Sequence, residues 1–174
     1  MTNFSHKKVA VLGFGLEGES VVKFLLNQDV EVHVFDEKTE TEFDMGKIDS
    51  YKNAGVKFTF HTIPDLSSFD IIIRSPGVSL MKYEIETASA KGILVTSSTK
   101  IFLDLCPCPI IGVTGTNGKT TFTYLLESIA GKMGWKAGVI GTINYRIPSE
   151  KPGETETLPA KNTTPNVLEI QKIL

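Results

Sequence analysis

Ten consecutive residues, Gly-Val-Thr-Gly-Thr-Asn-Gly-Lys-Thr-Thr, end at Thr121 and have the residue types of a phosphate-binding loop. Glycines let several backbone N–H groups converge on phosphate oxygens, a lysine adds positive charge, and a hydroxyl can ligate magnesium. These groups are supplied, in order, by Gly115, Gly118, Lys119 and Thr120. The strict pattern has a further glycine six residues before the lysine, where a valine stands here, so the loop is a variant.

A second glycine pattern, Gly13-x-Gly15-x-x-Gly18, lies near the start of the chain, and Asp36 follows at the end of the next apolar run. This spacing is that of the dinucleotide-binding fingerprint, in which an acidic residue comes about 20 positions after the glycines. The glycines specify a turn that brings phosphate to a helix N-terminus, but they do not specify whose phosphate it is. NAD, another nucleotide diphosphate, and a turn needed only for packing are therefore three alternatives.

Strands and helices must position both loops. In the front part of the chain, short β-branched runs alternate with segments of helical spacing, which predicts an α/β fold with a parallel, doubly wound, Rossmann-like sheet. The predicted strands are residues 7–12, 30–35, 56–60, 70–74 and 93–96, and the predicted helices are residues 20–26, 43–53, 81–90 and 99–105.

The run Cys-Pro-Cys-Pro at residues 106–109 interrupts regular structure, because proline lacks an amide donor and restricts the residue before it. We interpret it as a linker between a front domain, residues 1–105, and a second domain, residues 110–174. The pattern then restarts as the first part of a P-loop ATPase α/β domain. Its predicted elements are strands 110–114 and 136–140, helices 119–133 and 166–174, and a long polar loop over 144–164.

The composition excludes several classes of protein. Of the 174 residues, 41% are hydrophobic and 22% are charged, which is ordinary for a globular chain and unlike a disordered one. The net charge is -2 without a long block of one sign, so nucleic acid is not an expected partner. No stretch has the pattern of a signal peptide or a membrane span, and two cysteines are too few for a disulfide framework. We expect a cytoplasmic protein, monomeric and without a membrane partner.

Two nucleotide-type loops on consecutive α/β units, the second reading Gly-Thr-Asn-Gly-Lys-Thr, closely resemble the Mur ligases, the ATP-dependent amino-acid-adding enzymes of peptidoglycan synthesis. The resemblance covers the whole chain. Residues 138–170 are more similar to the member that adds the third residue, through Gly-Val-Ile-Gly-Thr-Ile-Asn-Tyr-Arg and Asn-Thr-Thr-Pro. The front domain is most similar to the member that adds D-glutamate, through residues 9–18, Asp36, Ser75-Pro76-Gly77-Val78 and the spacing to Ile110.

The resemblance implies that the front domain binds the UDP of a UDP-N-acetylmuramoyl-peptide, not a redox cofactor. Asp36 would accept a hydrogen bond from the uracil ring, and Lys38 stands where the family often has an arginine near the base. Because Glu17 is negatively charged, its side chain must turn away from a diphosphate. The other implied contacts are Gly15, Leu16 and Glu17 at the diphosphate, the turn Ser75, Pro76 and Gly77 beside the uridine, and Thr142, Thr163 and Thr164 near the muramoyl portion.

For the second domain the resemblance implies an ATP site, with Lys119 as the catalytic residue at the phosphates and Thr120 on magnesium. The implied reaction is phosphorylation of a substrate carboxylate by ATP, followed by attack of an amino acid's amine on the acyl phosphate. The family's other magnesium ligands, its modified lysine and its amino-acid-binding domain would lie beyond Leu174, so we expect this chain alone to be inactive. The ATP-binding residues would be Gly115, Thr116, Asn117, Gly118, Lys119, Thr120 and Thr121.

Two other functions stay open from the residues themselves. The first is an NAD-dependent oxidoreductase in which the second glycine loop is incidental, and the second is a non-catalytic nucleotide-binding homologue. Arg74, at the carboxyl end of a predicted strand, is either a phosphate or uridine contact or half of a structural pair. Cys106 and Cys108 are interpreted as linker residues and not as metal ligands, and His33 as a packing or surface residue.

Overall fold

The apolar runs in the front part of the chain form five strands: β1 (Lys7–Leu12), β2 (Val30–Asp36), β3 (Lys57–Phe60), β4 (Ile71–Arg74) and β5 (Leu94–Ser97). The computed structural model describes residues 3–141, 143–149 and 154–160. The five strands form one sheet in the order β3-β2-β1-β4-β5, and every pairing is parallel. In the central register Val9 lies between Val32 and Ile71. The predicted Rossmann-like sheet is therefore confirmed.

Both faces of the sheet are covered, because successive side chains of a strand point to opposite sides. Val9 and Val11 of β1 pack on one face, against three of the helices, while Ala10 and Leu12 pack on the other face. The helices are α1 (Leu16–Leu25), α2 (Met45–Asn53) and α4 (Ser98–Leu105) on the first face, and α3 (Tyr83–Ala90) with the non-helical segment 61–70 on the second.

The strand order reverses beside β1. From β1 the chain proceeds through β2 to β3 on one side, and then crosses to β4 and β5 on the other side. In doubly wound folds, ligands bind in the crevice outside the carboxyl ends of the strands at such a reversal. The loops after β1 and β4 flank this crevice, so the first glycine pattern and the Ser75 turn lie at the place where the fold favours a ligand.

The chain divides into two compact units between Cys106 and Pro107. The second unit contains α5 (Lys119–Lys132) and three short strands, β6 (Val139–Ile140), β7 (Asn144–Pro148) and β8 (Thr155–Pro159). These strands are antiparallel, in the order β6-β7-β8. Helix α5 ends one residue short of its prediction, and the predicted strand 136–140 is reduced to its last two residues.

Two predictions for the second unit are wrong. Residues 110–114 do not form a strand, because a strand needs a hydrogen-bonding neighbour and none of the described residues pairs with them. Residues 144–148 and 155–159 are not a loop but a β-hairpin, in which Tyr145 pairs with Leu158. The prediction weighed their polar and proline content and overlooked the alternation around Tyr145 and Ile147. The predicted helix 166–174 lies outside the described residues. Within the described part of the chain, no helix has the length and apolar character that crossing a membrane requires.

Candidate nucleotide-binding sites

The fold itself requires two of the three glycines in the first loop. Gly13, directly after β1, has φ +88°, a conformation that side-chain-bearing residues rarely adopt. A Cβ atom on Gly18 would lie 1.9 Å from the carbonyl oxygen of Gly13, so α1 could not pack against the loop with any larger residue there. Both glycines therefore have a structural reason that does not involve a ligand.

Gly15 is different, because nothing in the fold calls for a glycine there. Its φ is -81°, and a Cβ atom would meet no other atom within 4 Å. Gly15 is the N-cap of α1 and makes no side-chain cap, while Leu16 beside it is 73% exposed. The first N–H groups of a helix have no partner within the helix, and together with the helix dipole they attract anions. The open side of Gly15 therefore allows a phosphate to approach the backbone.

Asp36, the last residue of β2, is tied to the first loop. Its Oδ2 accepts a hydrogen bond from the backbone N–H of Phe14 at 2.6 Å, and its Oδ1 accepts one from the backbone N–H of Lys38 at 2.9 Å. An ionised carboxylate has about four acceptor positions, so Asp36 can still accept from a ligand. Its orientation is set by the protein, and the structure brings it beside the glycine loop as the sequence predicted.

The turn after β4 packs against the same loop. The backbone N–H of Ser75 donates to Leu12 O at 2.8 Å, and its hydroxyl donates to Gly13 O at 3.1 Å. The N–H of Val78 closes the turn by donating to Ser75 O at 3.0 Å, which leaves Pro76 and Gly77 exposed at its tip. The predicted residues Ser75, Pro76 and Gly77 are thus held against the first loop through Ser75.

Arg74 hydrogen-bonds to backbone carbonyl oxygens of the same turn. Its Nη1 donates to Val78 O at 3.0 Å and approaches Ser75 O at 3.5 Å, so the guanidinium braces the turn from within. Lys38 is exposed two residues after Asp36. A neighbouring ion pair was missed by sequence reasoning: the ammonium of Lys82 contacts a carboxylate oxygen of Glu37 and joins the loop after β2 to the loop before α3. No short motif contains two residues so far apart in the chain.

The side chain of Glu17 is directed toward the start of α4. The hydroxyl of Ser98 donates to its Oε2 at 2.5 Å. Together with Gly18, Arg74 and Ser75, these two side chains line a narrow crevice at the sheet reversal. Ser98 is 7% exposed and begins α4, and sequence reasoning did not single it out because it lies 81 residues from Glu17.

The phosphate loop of the second unit has the backbone geometry that its glycines predict. Gly115 has φ +140°, and Gly118, the N-cap of α5, has φ +77°. Lys119 and Thr120 open the helix, and all the residues from Gly115 to Thr121 are exposed. The Lys119 ammonium donates to the carbonyl oxygen of Gly115, so the side chain folds back across the loop. Thr116, Asn117 and Thr121 complete the predicted set in the same short stretch.

One half-buried cluster joins the hairpin to α5 in the second unit. Arg146 on β7 is 9% exposed, and its Nε donates to Glu127 Oε2 at 2.8 Å and to Oε1 at 3.1 Å. Its guanidinium carbon lies 3.8 Å from the ring centroid of Tyr124, and Nη1 donates to Asn144 Oδ1 at 2.8 Å. This is an ion pair with a cation–π contact. Sequence reasoning missed this cluster, because its members were predicted to lie in a helix and a loop.

Thr142, Thr163 and Thr164 lie outside the described residues. Neither Cys106 nor Cys108 forms a disulfide, and the described ranges contain no group of three or more His, Cys, Asp and Glu side chains that could hold a metal. His33 stacks on Phe35 with ring centroids 4.2 Å apart and shares a 2.9 Å hydrogen bond with Thr59, which confirms a packing role.

These features define a class of protein. A doubly wound sheet with a glycine loop at its reversal is followed, in a second unit, by a phosphate loop at the start of a helix. Such a chain has the fold class in which nucleotides are commonly bound, with two candidate phosphate sites.

Family models resolve the class further. The model described as "Mur ligase MurD-like, N-terminal domain" matches residues 7–97, and the model described as "Mur ligase middle domain" matches residues 113–174. The chain belongs to the Mur ligase family.

Individual relatives agree with the family models. The chain is 34% identical over 145 residues to UDP-N-acetylmuramoylalanine--D-glutamate ligase of Clostridium kluyveri, covering 83% of this chain and 32% of that protein. It is 34% identical over 156 residues to the ligase of the same name from Ruminiclostridium cellulolyticum, covering 87% and 33%. A solved pseudomurein peptide ligase type C from Methanothermus fervidus overlaps 77% of this chain and 28% of its own, with a TM-score of 0.47 and 24% identity. The chain spans about a third of the length of the curated relatives it matches.

Proposed function

We propose that this chain is the front part of an ATP-dependent ligase that adds D-glutamate to a UDP-N-acetylmuramoyl-peptide in peptidoglycan biosynthesis. The observation that carries the proposal is a pair of phosphate-binding loops on consecutive units of a Mur ligase chain. The curated relatives described above are D-glutamate ligases, which supports D-glutamate as the amino acid. The proposal places the protein in the cytoplasm, where ATP and nucleotide sugars are available.

The first unit is the proposed site for the UDP portion of the substrate. Gly15 leaves the start of α1 open to the diphosphate, and Asp36 is oriented beside the same loop to accept from the uracil ring. Leu16, Lys38 and the exposed tip of the turn at Pro76 surround this edge of the sheet. Backbone N–H groups bind the phosphates, and one carboxylate selects the base.

The second unit is the proposed site for ATP. Lys119 stands at the opening of α5, where its ammonium now contacts a loop carbonyl and can exchange that oxygen for phosphate oxygens. The hydroxyl of Thr120 is a hard oxygen donor on an exposed first turn, which fits a magnesium ligand. When bound, magnesium neutralises charge between the ATP phosphates and the attacking carboxylate.

The proposed reaction places an electrostatic burden on these residues. The substrate's terminal carboxylate attacks the γ-phosphorus of ATP, the bond to the ADP oxygen breaks, and an acyl phosphate forms. The amine of the amino acid then attacks the acyl carbon, phosphate leaves, and the amine loses a proton to give an amide. Because two polyanions must meet in the first step, Lys119 lowers the barrier by countering their repulsion.

The test is isothermal titration of the chain with UDP-N-acetylmuramoyl-L-alanine, with NAD and magnesium-ATP titrated in parallel. We expect the UDP ligand to bind, and Asp36→Asn to weaken it about tenfold or more, as loss of a hydrogen bond to a charged group does. Asp29→Asn is the matched control, because Asp29 is an exposed acid paired with His6. Thermal unfolding by circular dichroism checks that the Asp36 variant keeps its fold.

The other outcomes decide between the alternatives. Binding of NAD without the UDP ligand would overturn the proposal and return the first loop to its dinucleotide interpretation. The chain could also bind both the UDP ligand and magnesium-ATP. If Lys119→Met then leaves the affinity for magnesium-ATP unchanged, a non-catalytic homologue would be favoured over a ligase.

A further inference from the structure

Two acidic residues occupy the first turn of α1, Glu17 and Glu19. Negative charge there is favourable for an isolated helix, because the helix N-terminus carries partial positive charge. The same charge repels a diphosphate bound at that N-terminus. The structure treats the two carboxylates in different ways.

The charge of Glu19 is neutralised by neighbours. Its carboxylate lies 2.7 Å from the ammonium of Lys23 and 2.7 Å from that of Lys47, and it accepts from the hydroxyl of Tyr51 at 3.1 Å. Burial raises the pKa of Glu19, but these hydrogen bonds outweigh burial and lower the pKa overall. Glu19 is therefore an ionised group within a balanced cluster.

The carboxylate of Glu17 is bound by a hydroxyl group, whereas that of Glu19 is bound by two ammonium groups. Ser98 donates to it at 2.5 Å, and among the described residues no lysine or arginine forms an ion pair with it. The hydrogen bond from Ser98 restricts where the Glu17 carboxylate can lie. The carboxylate lies in the crevice beside Gly18, and none of its atoms comes within 4 Å of the position that a Cβ of Gly15 would take.

Ser98 is held in place by the start of α4, which is capped and packed against the core. The side chain of Ser97 caps α4 by accepting from the N–H of Lys100 at 3.2 Å, and Ile101 on the same helix is 1% exposed in the core. Ser98 itself is buried. The hydroxyl therefore cannot follow Glu17 if the glutamate moves, and it acts as a fixed anchor.

We propose that Ser98 is a positioning residue that holds the Glu17 carboxylate away from the diphosphate-binding start of α1. The inference rests on the proposed UDP site. Without the hydroxyl, Glu17 samples rotamers that bring its charge toward the phosphates. At a separation of about 6 Å and an effective dielectric constant of about 40 to 80, that repulsion weakens diphosphate binding roughly three- to tenfold.

The experiment compares UDP with uridine, which lacks the phosphates, on the unaltered chain and on variants. Affinity for UDP is measured by isothermal titration and uridine binding by ligand-observed NMR. We expect Ser98→Ala to lose roughly three- to tenfold in UDP affinity with uridine unchanged, and Ser98→Thr to restore UDP binding. In a Glu17→Gln background, Ser98→Ala has no further effect, because no charge remains to be held. High salt narrows the difference between Ser98→Ala and the unaltered chain.

Thr99→Ala is the matched control, since it removes an exposed hydroxyl from the same helix without touching Glu17 or the cap of α4. Unchanged UDP affinity in Ser98→Ala, or an equal loss of UDP and uridine, would overturn the positioning role and leave the UDP site intact. If the unaltered chain binds neither UDP nor UDP-N-acetylmuramoyl-L-alanine, the proposed function fails and the role of Ser98 fails with it.

Discussion

The two glycine loops have the same local design and very different support. The first follows β1, whose last four residues are buried, and leads into α1, which buries six residues. The second follows residues 110–114, which form no strand, and leads into α5, which buries none. The glycines therefore specify a turn before a helix in both units, but only in the first unit do buried residues of the described chain hold that turn in place.

The difference extends to the polar contacts. The first loop is held from outside itself, by the carboxylate of Asp36 and the hydroxyl of Ser75. The described contact of the second loop is internal, from Lys119 to Gly115. We infer that the first site is formed before its ligand arrives, and that the second loop must exchange a contact of its own for phosphate. Preorganisation of this kind improves affinity because less ordering is needed on binding.

Replacing Gly18 should have the largest effect on stability. In Gly18→Ala the new Cβ would overlap the carbonyl oxygen of Gly13, which is backbone and cannot move without shifting α1. We expect a loss of about 3 kcal/mol or more in the free energy of unfolding of the first unit. Urea unfolding followed by far-UV circular dichroism measures it. Gly15→Ala is the control and should cost about 1 kcal/mol at most, because alanine is a poorer N-cap than glycine but meets no clash. An equal loss in both variants would contradict our view of the first loop.

Breaking the ion pair between Arg146 and Glu127 tests how much this cluster stabilises the second unit. Arg146→Ala removes the partner of Glu127 and the contact with Tyr124, and we expect it to destabilise the hairpin against α5 by about 2 to 3 kcal/mol. Trp135 is the single tryptophan and lies in the second unit, so its fluorescence reports this unfolding alone. Lys57→Ala, which breaks an exposed pair with Glu31, should leave this fluorescence transition in place. A transition that Arg146→Ala does not shift would mean that the cluster adds nothing to stability.

A smaller effect is expected at the second loop. Gly118 has φ +77°, and alanine in that conformation costs about 1 to 2 kcal/mol. No atom lies within 4 Å of its missing Cβ, so strain in the backbone is the whole cost. Gly118→Ala should therefore shift the Trp135 transition less than Arg146→Ala does. Gly112→Ala, with open space and ordinary φ, is its control. A shift as large as that of Arg146→Ala would show that the loop is more tightly supported than the structure indicates.

The same contrast explains what sequence could predict. A run such as residues 70–74 predicts a strand because it is apolar and β-branched, as a strand buried on both faces is, whereas residues 56–60 predict one through alternation. Residues 110–114 have a similar composition, but none of the described residues pairs with them and they form no strand. Ser98 and Arg146 were missed because their roles depend on partners 81 and 19 residues away, and one sequence does not encode such distances in its spacing.

The smallest expected effect is a change of stability with pH, and it should distinguish the two units because His33 lies in the first unit. Burial, with the charges of Lys57 and Lys8, lowers the pKa of His33 below its usual 6.5, and Glu31 opposes the shift only in part. The unfolded chain then binds a proton near pH 6.5 that the folded chain resists. The free energy of unfolding of the first unit should therefore be level above about pH 7 and fall as the pH drops through about 6.

Glu19 does not account for a change in this window, since its pKa is lowered from 4.5 and the group stays ionised in both states. His33→Gln removes the titrating ring but keeps a polar group for Thr59. Urea unfolding at steps between pH 5.5 and 7.5 should show a slope in the unaltered chain and a flatter line in the variant. The Trp135 transition of the second unit should not respond to His33→Gln at any of these pH values, because the described contacts of His33, with Phe35, Thr59 and Phe69, all lie within the first unit. If the unfolding free energy of the variant depends on pH as steeply as that of the unaltered chain, another group titrates in this window and His33 does not cause the loss of stability.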